Sequence, residues 1–388
     1  MKRLRVLFFS NWFAPGFKGG GSQSAAVNLV RGLQHDFAFF VVTRDRDLGD
    51  EAPYAAAGSR GGTNLDGIGV RYLAPGEQRY ASVRRIMRET EHDILYLNSA
   101  VSLPFAFYPL MVRRLDPELR RPLIVAPHGE TSPGALSQKR IRKVAYLALV
   151  RALGLFDDAT WQAASAFEER DIGNAFGSKA SVAIVPPLPR HYGAVSDAGR
   201  AEPKRPGTLR TIFLSRIDRM KNLDFAIRCV DAVEGVTLDI YGPIVQPDYW
   251  KQCQALCSNA RRPAAFRYRG ALEPAQVLPT LAAYDLMMLP SEGENFGFVV
   301  LEALWAGCPV LISDRTPWRG LGAAKVGADI SLDRPAEFVA VLEHMVRLTD
   351  AEHAPFRNSA KAYAQSYVTS STARAAAREL LANARLPQ

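Results

Sequence analysis

The stretch Leu286-Met-Met-Leu-Pro-Ser-Glu-Gly-Glu-Asn-Phe-Gly-Phe-Val-Val-Leu-Glu-Ala-Leu-Trp-Ala-Gly-Cys-Pro-Val-Leu-Ile-Ser313 decides the fold. Its apolar opening, Leu286 to Pro290, reads as a buried parallel strand. A polar loop with two glycines follows, then a short apolar helix from about Gly297 to Ala306. Gly307 falls where a helix C-cap belongs, and Pro309 starts another strand. Strand, helix and strand in so few residues imply a parallel α/β sheet. Glu302 is the helix's one charge, and a carboxylate among Leu301, Ala303 and Leu304 is costly to bury without partners. Glu294 lies at the strand's exit, where open α/β sheets bind ligands. Two acids there, with no His or Cys cluster beside them, suit hydroxyl-rich ligands such as sugars and riboses.

The segment resembles the signature of retaining glycosyltransferases of family 4 (group 1), which have the GT-B fold. Pro290, Ser291, Glu294, Phe296, Gly297, Glu302, Ala306, Gly307, Pro309 and Val310 match that pattern at fixed spacing. The resemblance implies that Glu294 meets the donor sugar's hydroxyls and that Glu302 holds the nucleotide ribose. Phe296, Gly297 and Phe298 are placed with them on the donor side. The resemblance is strong over 208–318, loose over 1–190, and spans almost the full chain.

Composition fits such an enzyme. The chain has 388 residues, 48% hydrophobic and 22% charged, enough for two domains with sizeable cores. Cys229, Cys253, Cys257 and Cys308 all lie in the second half and complete neither a disulfide framework nor a zinc site. The net charge of +9 is concentrated in residues 1–190, with 25 Lys and Arg against 18 Asp and Glu. No nucleic-acid-binding signature accompanies it, so anionic lipid or phosphate-bearing substrates are the expected partners. The N-terminal apolar run is too short for a signal peptide, and no run approaches the ~18 apolar residues of a spanning helix. The expectation is a cytoplasmic protein, peripheral on the inner face of the plasma membrane.

Working outward, strands are expected near Val6–Ser10, Ala38–Thr43, Gly69–Leu73, Ile94–Leu97, Leu123–Ala126 and Val182–Val185. A second series runs through Thr211–Leu214, Val236–Tyr241, Phe266–Tyr268, Asp285–Pro290 and Pro309–Ile312. Pro186 onward, and then Ser196 to Gly207, read as the linker. The domains are therefore set at 1–190, acceptor-side, and 208–369, donor-side, as two Rossmann-like domains facing across a crevice. The terminal helix, about 370–388, is expected to pack back on the first domain, as in relatives.

Other candidates follow predicted strands. Phe13-Ala-Pro-Gly-Phe-Lys-Gly-Gly-Gly-Ser22 precedes a helix from about Gln23, and such glycines let backbone N–H groups approach an anion. The resemblance assigns Gly20 and Gly21 to the donor diphosphate. After Leu123, His128 is expected to contact the donor sugar by the same resemblance. Glu130 orients His128 or reads the acceptor, and Asn98 is placed on the acceptor side. Ser132-Pro-Gly-Ala-Leu136 resembles bacterial exopolysaccharide and O-antigen enzymes. After Thr211, Arg216 and Lys221 can reach one anion, and family members grip the donor phosphates at this spacing. Gly242 and Gly270 lie where family loops enclose the nucleotide base. Asp45-Arg46-Asp47 has the form of the metal-binding motif of the other main transferase fold and is expected to be solvated. Pro186-Pro-Leu departs from the family's Pro-Asn-Gly, which leaves any hinge role there open.

The reading is a metal-independent, retaining hexosyltransferase without a cofactor. It moves a sugar from a UDP- or GDP-sugar to a glycan or a polyprenyl-diphosphate-linked acceptor, in cell-surface polysaccharide or lipopolysaccharide biosynthesis. Two rivals stay open: a GT-B sugar-nucleotide epimerase, which would need acid/base groups on both faces of the sugar, and a non-catalytic sugar- or lipid-binding protein, which would need no phosphate grip.

Overall fold

The computed structural model describes residues 3–58, 63–132, 140–177, 180–190, 202–369 and 372–385, with backbone alone at 140–143. Most of the linker and the segment 133–139 lie outside these residues. The chain forms two compact units, Met1–Arg190 with Ser371–Gln388, and His191–Ser370.

The first unit carries an eight-stranded sheet. Its strands are β1 (Arg5–Phe9), β2 (Ala38–Arg44), β3 (Thr63–Leu65), β4 (Ile68–Leu73), β5 (Ile94–Leu97), β6 (Leu123–Val125), β7 (Ala159–Ala163) and β8 (Ser181–Ile184). The spatial order is β3-β4-β2-β1-β5-β6-β7-β8, parallel apart from the β3–β4 hairpin. β1 is central and apolar on both faces, with Val6, Leu7, Phe8 and Phe9 buried, as a parallel strand covered on two sides requires. Helices α1 (Gly21–Leu33), α2 (Tyr80–Glu89), α3 (Tyr108–Leu115), α4 (Arg140–Ala152) and α5 (Ala166–Phe176) connect the strands.

The second unit is a six-stranded parallel sheet of β9 (Leu209–Leu214), β10 (Val236–Tyr241), β11 (Phe266–Gly270), β12 (Leu286–Leu289), β13 (Val310–Ser313) and β14 (Gly327–Ile330). The order is β11-β10-β9-β12-β13-β14. Its helices are α6 (Leu223–Asp231), α7 (Pro247–Ser258), α8 (Pro274–Ala282), α9 (Phe298–Trp305), α10 (Pro335–Arg347) and α11 (Asp350–Thr369). α9 buries Val300, Leu301, Ala303 and Leu304. It ends in a Schellman motif: Cys308 N donates to Ala303 O at 2.8 Å and Gly307 N to Leu304 O at 3.0 Å, with Gly307 at φ 71°. The last helix, α12 (Thr372–Ala382), belongs to the first unit. Its Ala377 and Leu381 enter the core that holds Val6, Phe8, Leu29 and Leu33, and Arg374 reaches Asp36 at 3.1 Å.

Both sheets contain the order 3-2-1-4-5-6 of a doubly wound fold, so each reverses direction at one point, β1/β5 and β9/β12. In open α/β sheets the carboxyl ends of strands at such a point are where ligands bind. Three strands, β3, β7 and β14, are absent from the sequence expectations.

Candidate active site

At the β9/β12 switch point of the second unit, the loop after β9 carries Arg216 and Lys221 and the loop after β12 carries Glu294. Lys221 sits in the 3-10 turn Arg219–Lys221 ahead of α6, rather than opening the helix itself, because Asn222 adopts φ 56° between them. Its Nζ is 2.5 Å from Glu294 Oε1, which also accepts from Ser291 Oγ at 2.8 Å. Both side chains are well buried, at 14% and 8% exposure. With Oε1 doubly engaged, Glu294 Oε2 has no hydrogen bond among the described residues and is left to accept from a ligand hydroxyl. The two loops are further joined by Glu292 N donating to Met220 O at 2.8 Å. Arg216 is more exposed and has a weaker tie, 3.4 Å to Asp218, so its guanidinium can turn to an anion.

The loops after β9, β10 and β11 are hydrogen-bonded in series. Ser215 N donates to Tyr241 O (3.1 Å), Ile217 N to Pro243 O (2.9 Å) and Gly242 N to Gly270 O (2.8 Å). Gly242 has φ 137°, and a Cβ there would stand 1.8 Å from Ser215 O. No side chain fits without displacing the strand that presents Arg216.

At the β1/β5 switch point of the first unit, α1 begins at Gly21 with Gly20 as N-cap, φ 74°, and neither a capping side chain nor an acid in its first turn. Its leading N–H groups therefore face outward at the positive end of the helix dipole. The loop before it is tightly held. Asp47 accepts from Phe17 N (2.6 Å), Lys18 N (3.0 Å) and Leu48 N (2.9 Å). The buried Gln23 accepts from Gly19 N at 2.7 Å and donates to Phe13 O at 3.0 Å. A Cβ on Gly16 would meet Tyr54 Oη at 2.1 Å and Asp47 Cγ at 2.8 Å.

From β5's exit, Asn98 Nδ2 donates to Ser22 O at 3.0 Å, while Asn98 Oδ1 lies 2.7 Å from His128 Nε2. Ser22 O can only accept, which fixes the amide and makes Nε2 the protonated nitrogen of His128. Burial pushes the imidazole down to about 4, so His128 is neutral near pH 7 with its Nδ1 lone pair open. His128 and Gly129 adopt φ 50° and 81°, and Gly129 N donates to Glu168 at 2.5 Å, which fixes the turn.

Residues 197–346 match the family described as Glycosyl transferases group 1. That match lies within the second unit. Glycogen synthase of Mycobacterium tuberculosis is 31% identical over 165 residues, 42% of this chain and 38% of the relative. The chain thus spans under half the length of the curated relatives it matches. Among solved structures, Anabaena Alr3699/HepE in complex with UDP and glucose aligns at TM-score 0.71 and 17% identity, over 98% of this chain and 100% of that one. WaaG, a glycosyltransferase involved in lipopolysaccharide biosynthesis, aligns at 0.69 and 15% (97% and 100%). Sucrose-phosphate synthase from Thermosynechococcus elongatus aligns at 0.69 and 13% (98% of each). The fold is that of the GT-B glycosyltransferases.

The second unit places the remaining expected residues unevenly. Glu302 is half-buried on α9. Phe296 is turned into the domain, its ring 4.7 Å from Phe298 and 5.3 Å from Trp318, and its carbonyl accepts from Trp318 Nε1 at 2.5 Å. It shapes the loop, and Gly297 follows in the left-handed region at φ 78° as N-cap of α9.

Two expectations are corrected. Asp45-Arg46-Asp47 is not solvated: Asp45 and Asp47 are 5% and 4% exposed. Asp45 pairs with Arg46 at 2.9 Å while Asp47 holds the glycine loop. Asn98 is buried, with its amide engaged by Ser22 and His128. Glu130 does not orient His128; its carboxylate accepts from Ser99 Oγ (2.8 Å) and Ala100 N (2.6 Å). Gln23 and Asp47, which position the loop, are missed by sequence reading. The signal for Asp47 was an acid three residues past the end of β2.

Proposed function

We propose that the chain is a retaining glycosyltransferase that moves a sugar from a UDP- or GDP-sugar to a glycan or polyprenyl-diphosphate-linked acceptor, in cytoplasmic steps of cell-surface polysaccharide biosynthesis. The observation that carries this is the Lys221–Glu294 pair across the β9/β12 switch point, with Arg216 beside it on the same loop. A cation and a carboxylate so placed suit a ligand that is anionic at one end and hydroxyl-bearing at the other. Support for the donor class comes from the UDP and glucose named for HepE, and for the setting from the lipopolysaccharide role named for WaaG.

In this reading Lys221 turns from Glu294 to the diphosphate when donor binds, and the released Glu294 accepts sugar hydroxyls. As the anomeric C–O bond to phosphate breaks, negative charge grows on the leaving diphosphate. Lys221 and Arg216 stabilise it in a preorganised, partly dry site. The acceptor oxygen bonds to the anomeric carbon from the same face, and its proton passes to the leaving phosphate. No protein side chain need serve as nucleophile. Two cations are available at this switch point to meet the diphosphate, and Asp45 and Asp47 are committed to Arg46 and to loop amides, which supports catalysis without metal.

A thermal-shift panel of UDP-, GDP- and dTDP-sugars tests the donor assignment. A true donor at 100 times its Kd stabilises by about 2.7 kcal/mol. The reading predicts a base-dependent rise in Tm that Lys221→Met reduces only in part. No shift with any nucleotide sugar at millimolar concentration would end it.

A further inference from the structure

Arg44, the last residue of β2, is a half-buried cation that no carboxylate holds among the described residues. Its guanidinium carbon lies 5.6 Å from the centroid of the Trp12 ring and 5.3 Å from that of Phe105, within reach of cation–π attraction. The guanidinium's one hydrogen bond among the described residues runs from Nη1 to Oε1 of the neutral Gln78, at 2.8 Å. Gln78 is itself fixed, since its amide donates to Leu73 O at 3.1 Å. Arg44 Nε is buried without a hydrogen-bond partner. Asp45, the adjacent acid, is engaged through both oxygens by Arg46, at 2.9 and 3.1 Å. Other arginines of the unit are matched: Arg113 meets Asp158 at 2.7 Å, and Arg5 meets Asp93 at 2.9 Å. Burial accordingly pulls the Arg44 pKa below the usual guanidinium value. Two aromatic faces and one amide replace only part of the water a guanidinium gives up. A cation held this way is prepared for an anion that arrives from outside.

Its place in the fold narrows what that anion belongs to. Trp12 follows β1 by three residues, Phe105 lies in the helical turn Leu103–Phe107 after β5, and Arg44 ends β2. The three therefore meet at the carboxyl ends of the strands around the β1/β5 switch point, where such sheets bind ligands. Trp12 also borders the glycine loop, for a Cβ on Gly19 would stand 3.1 Å from Trp12 Cβ. Phe17 of that loop is 38% exposed and Leu103 53%, so the same loops offer apolar surface beside the charge. In the transferase reading the donor's diphosphate falls to Arg216 and Lys221 of the second unit. A further fixed cation in the first unit, the acceptor side, is left for a second anion.

We propose that Arg44, stacked between Trp12 and Phe105, binds an anionic group of the acceptor, a phosphate or a sugar carboxylate. The inference rests on the transferase reading, because it takes the first unit as the acceptor side, and it narrows the acceptor to one that carries negative charge. The probes are geranyl diphosphate and glucuronate, with geraniol and glucose as neutral counterparts, titrated by calorimetry into the full chain. UDP and GDP are held in excess, so that nucleotide fills the diphosphate grip of the second unit. Wild type should bind at least one anionic probe and not its neutral counterpart. Arg44→Gln should weaken that binding at least ~10-fold, and Arg44→Lys should recover part of it, keeping the charge without the planar fork. Loss with geranyl diphosphate identifies a phosphate; loss with glucuronate identifies a carboxylate on the acceptor sugar. The thermal shift caused by nucleotide sugars should be equal in Arg44→Gln and wild type, which separates this proposal from the donor assignment. Failure of wild type to prefer either anionic probe, while nucleotide sugars still raise Tm, would overturn the proposal and leave the transferase reading standing. A smaller nucleotide-sugar shift in Arg44→Gln would also overturn it, by placing Arg44 on the donor. So would a fall in Tm with probe binding unchanged, which would make Arg44 a structural cation.

Discussion

Replacing Asp47 with Ala removes the acceptor for three backbone donors at once, Phe17 N, Lys18 N and Leu48 N, at 2.6, 3.0 and 2.9 Å. A hydrogen bond to a charged group is worth about 1.5–3 kcal/mol, and an orphaned buried donor costs a similar amount. Phe17 and Lys18 are not fully buried, so water recovers part of this, and a net loss of ~3 kcal/mol is expected. For a unit of about 200 residues, each kcal/mol shifts Tm by about 2–4 °C, so the first unit should melt roughly 6–12 °C lower. Asp47→Asn keeps one acceptor oxygen and should lose about half as much. Calorimetry checks the shift, and hydrogen exchange at 17–19 locates it, where amides held by the clamp should become labile. An unchanged Tm with unchanged exchange at 17–19 would refute the clamp. A normal Tm in Asp47→Asn, combined with loss of a metal-dependent activity, would return the motif to the role its sequence form suggests.

Three further outcomes are expected. Gly242→Ala forces a Cβ to 1.8 Å from Ser215 O at φ 137° and should cost ~3 kcal/mol or more, read by chemical denaturation; a loss under ~1 kcal/mol would contradict the packing. His128, neutral when folded because burial holds it near 4, takes up a proton on unfolding at any pH between about 4 and 6.5. Stability should therefore fall as pH falls through that window, by ~2 kcal/mol after allowance for the ring's partial exposure. His128→Gln should flatten this slope in parallel melts, and an unaltered slope would place the ring in water. Donor turnover should persist in EDTA, and loss restored by Mn²⁺ or Mg²⁺ would show that Arg216 and Lys221 do not replace a metal.

The parts legible in sequence were those whose physics is local. The apolar runs of β1, β9, β12 and β13 and the glycine that closes α9 carry their own signals. β7, Ala-Thr-Trp-Gln-Ala, is buried by its neighbours but broken by Thr160 and Gln162, so its periodicity is faint. β14, Gly-Ala-Asp-Ile, is an edge strand with three half-exposed residues. β3 is short, and the Asp66-Gly67 turn pairing it with β4 was its best clue. At the site, charge and spacing brought out Lys221 and Glu294, but not that they meet. Asp47 read as a solvated acid because what buries it, the loop at 16–18, is some 30 residues away in the chain. Side chains such as Asn98 and Glu130, which bond backbone on other loops, are invisible to pattern reading for the same reason.

The central claim is that Arg216 and Lys221 stabilise charge developing on a nucleoside diphosphate as it leaves a sugar. The most direct measurement is single-turnover release of nucleoside diphosphate from the donor that most raises Tm, in wild type, Arg216→Ala and Lys221→Met. Loss of an interaction strongest in the transition state should lower the rate constant ~100-fold or more in each variant, with donor Kd rising far less. Near-wild-type rate constants in both variants, with affinity unchanged or weakened, would contradict the account.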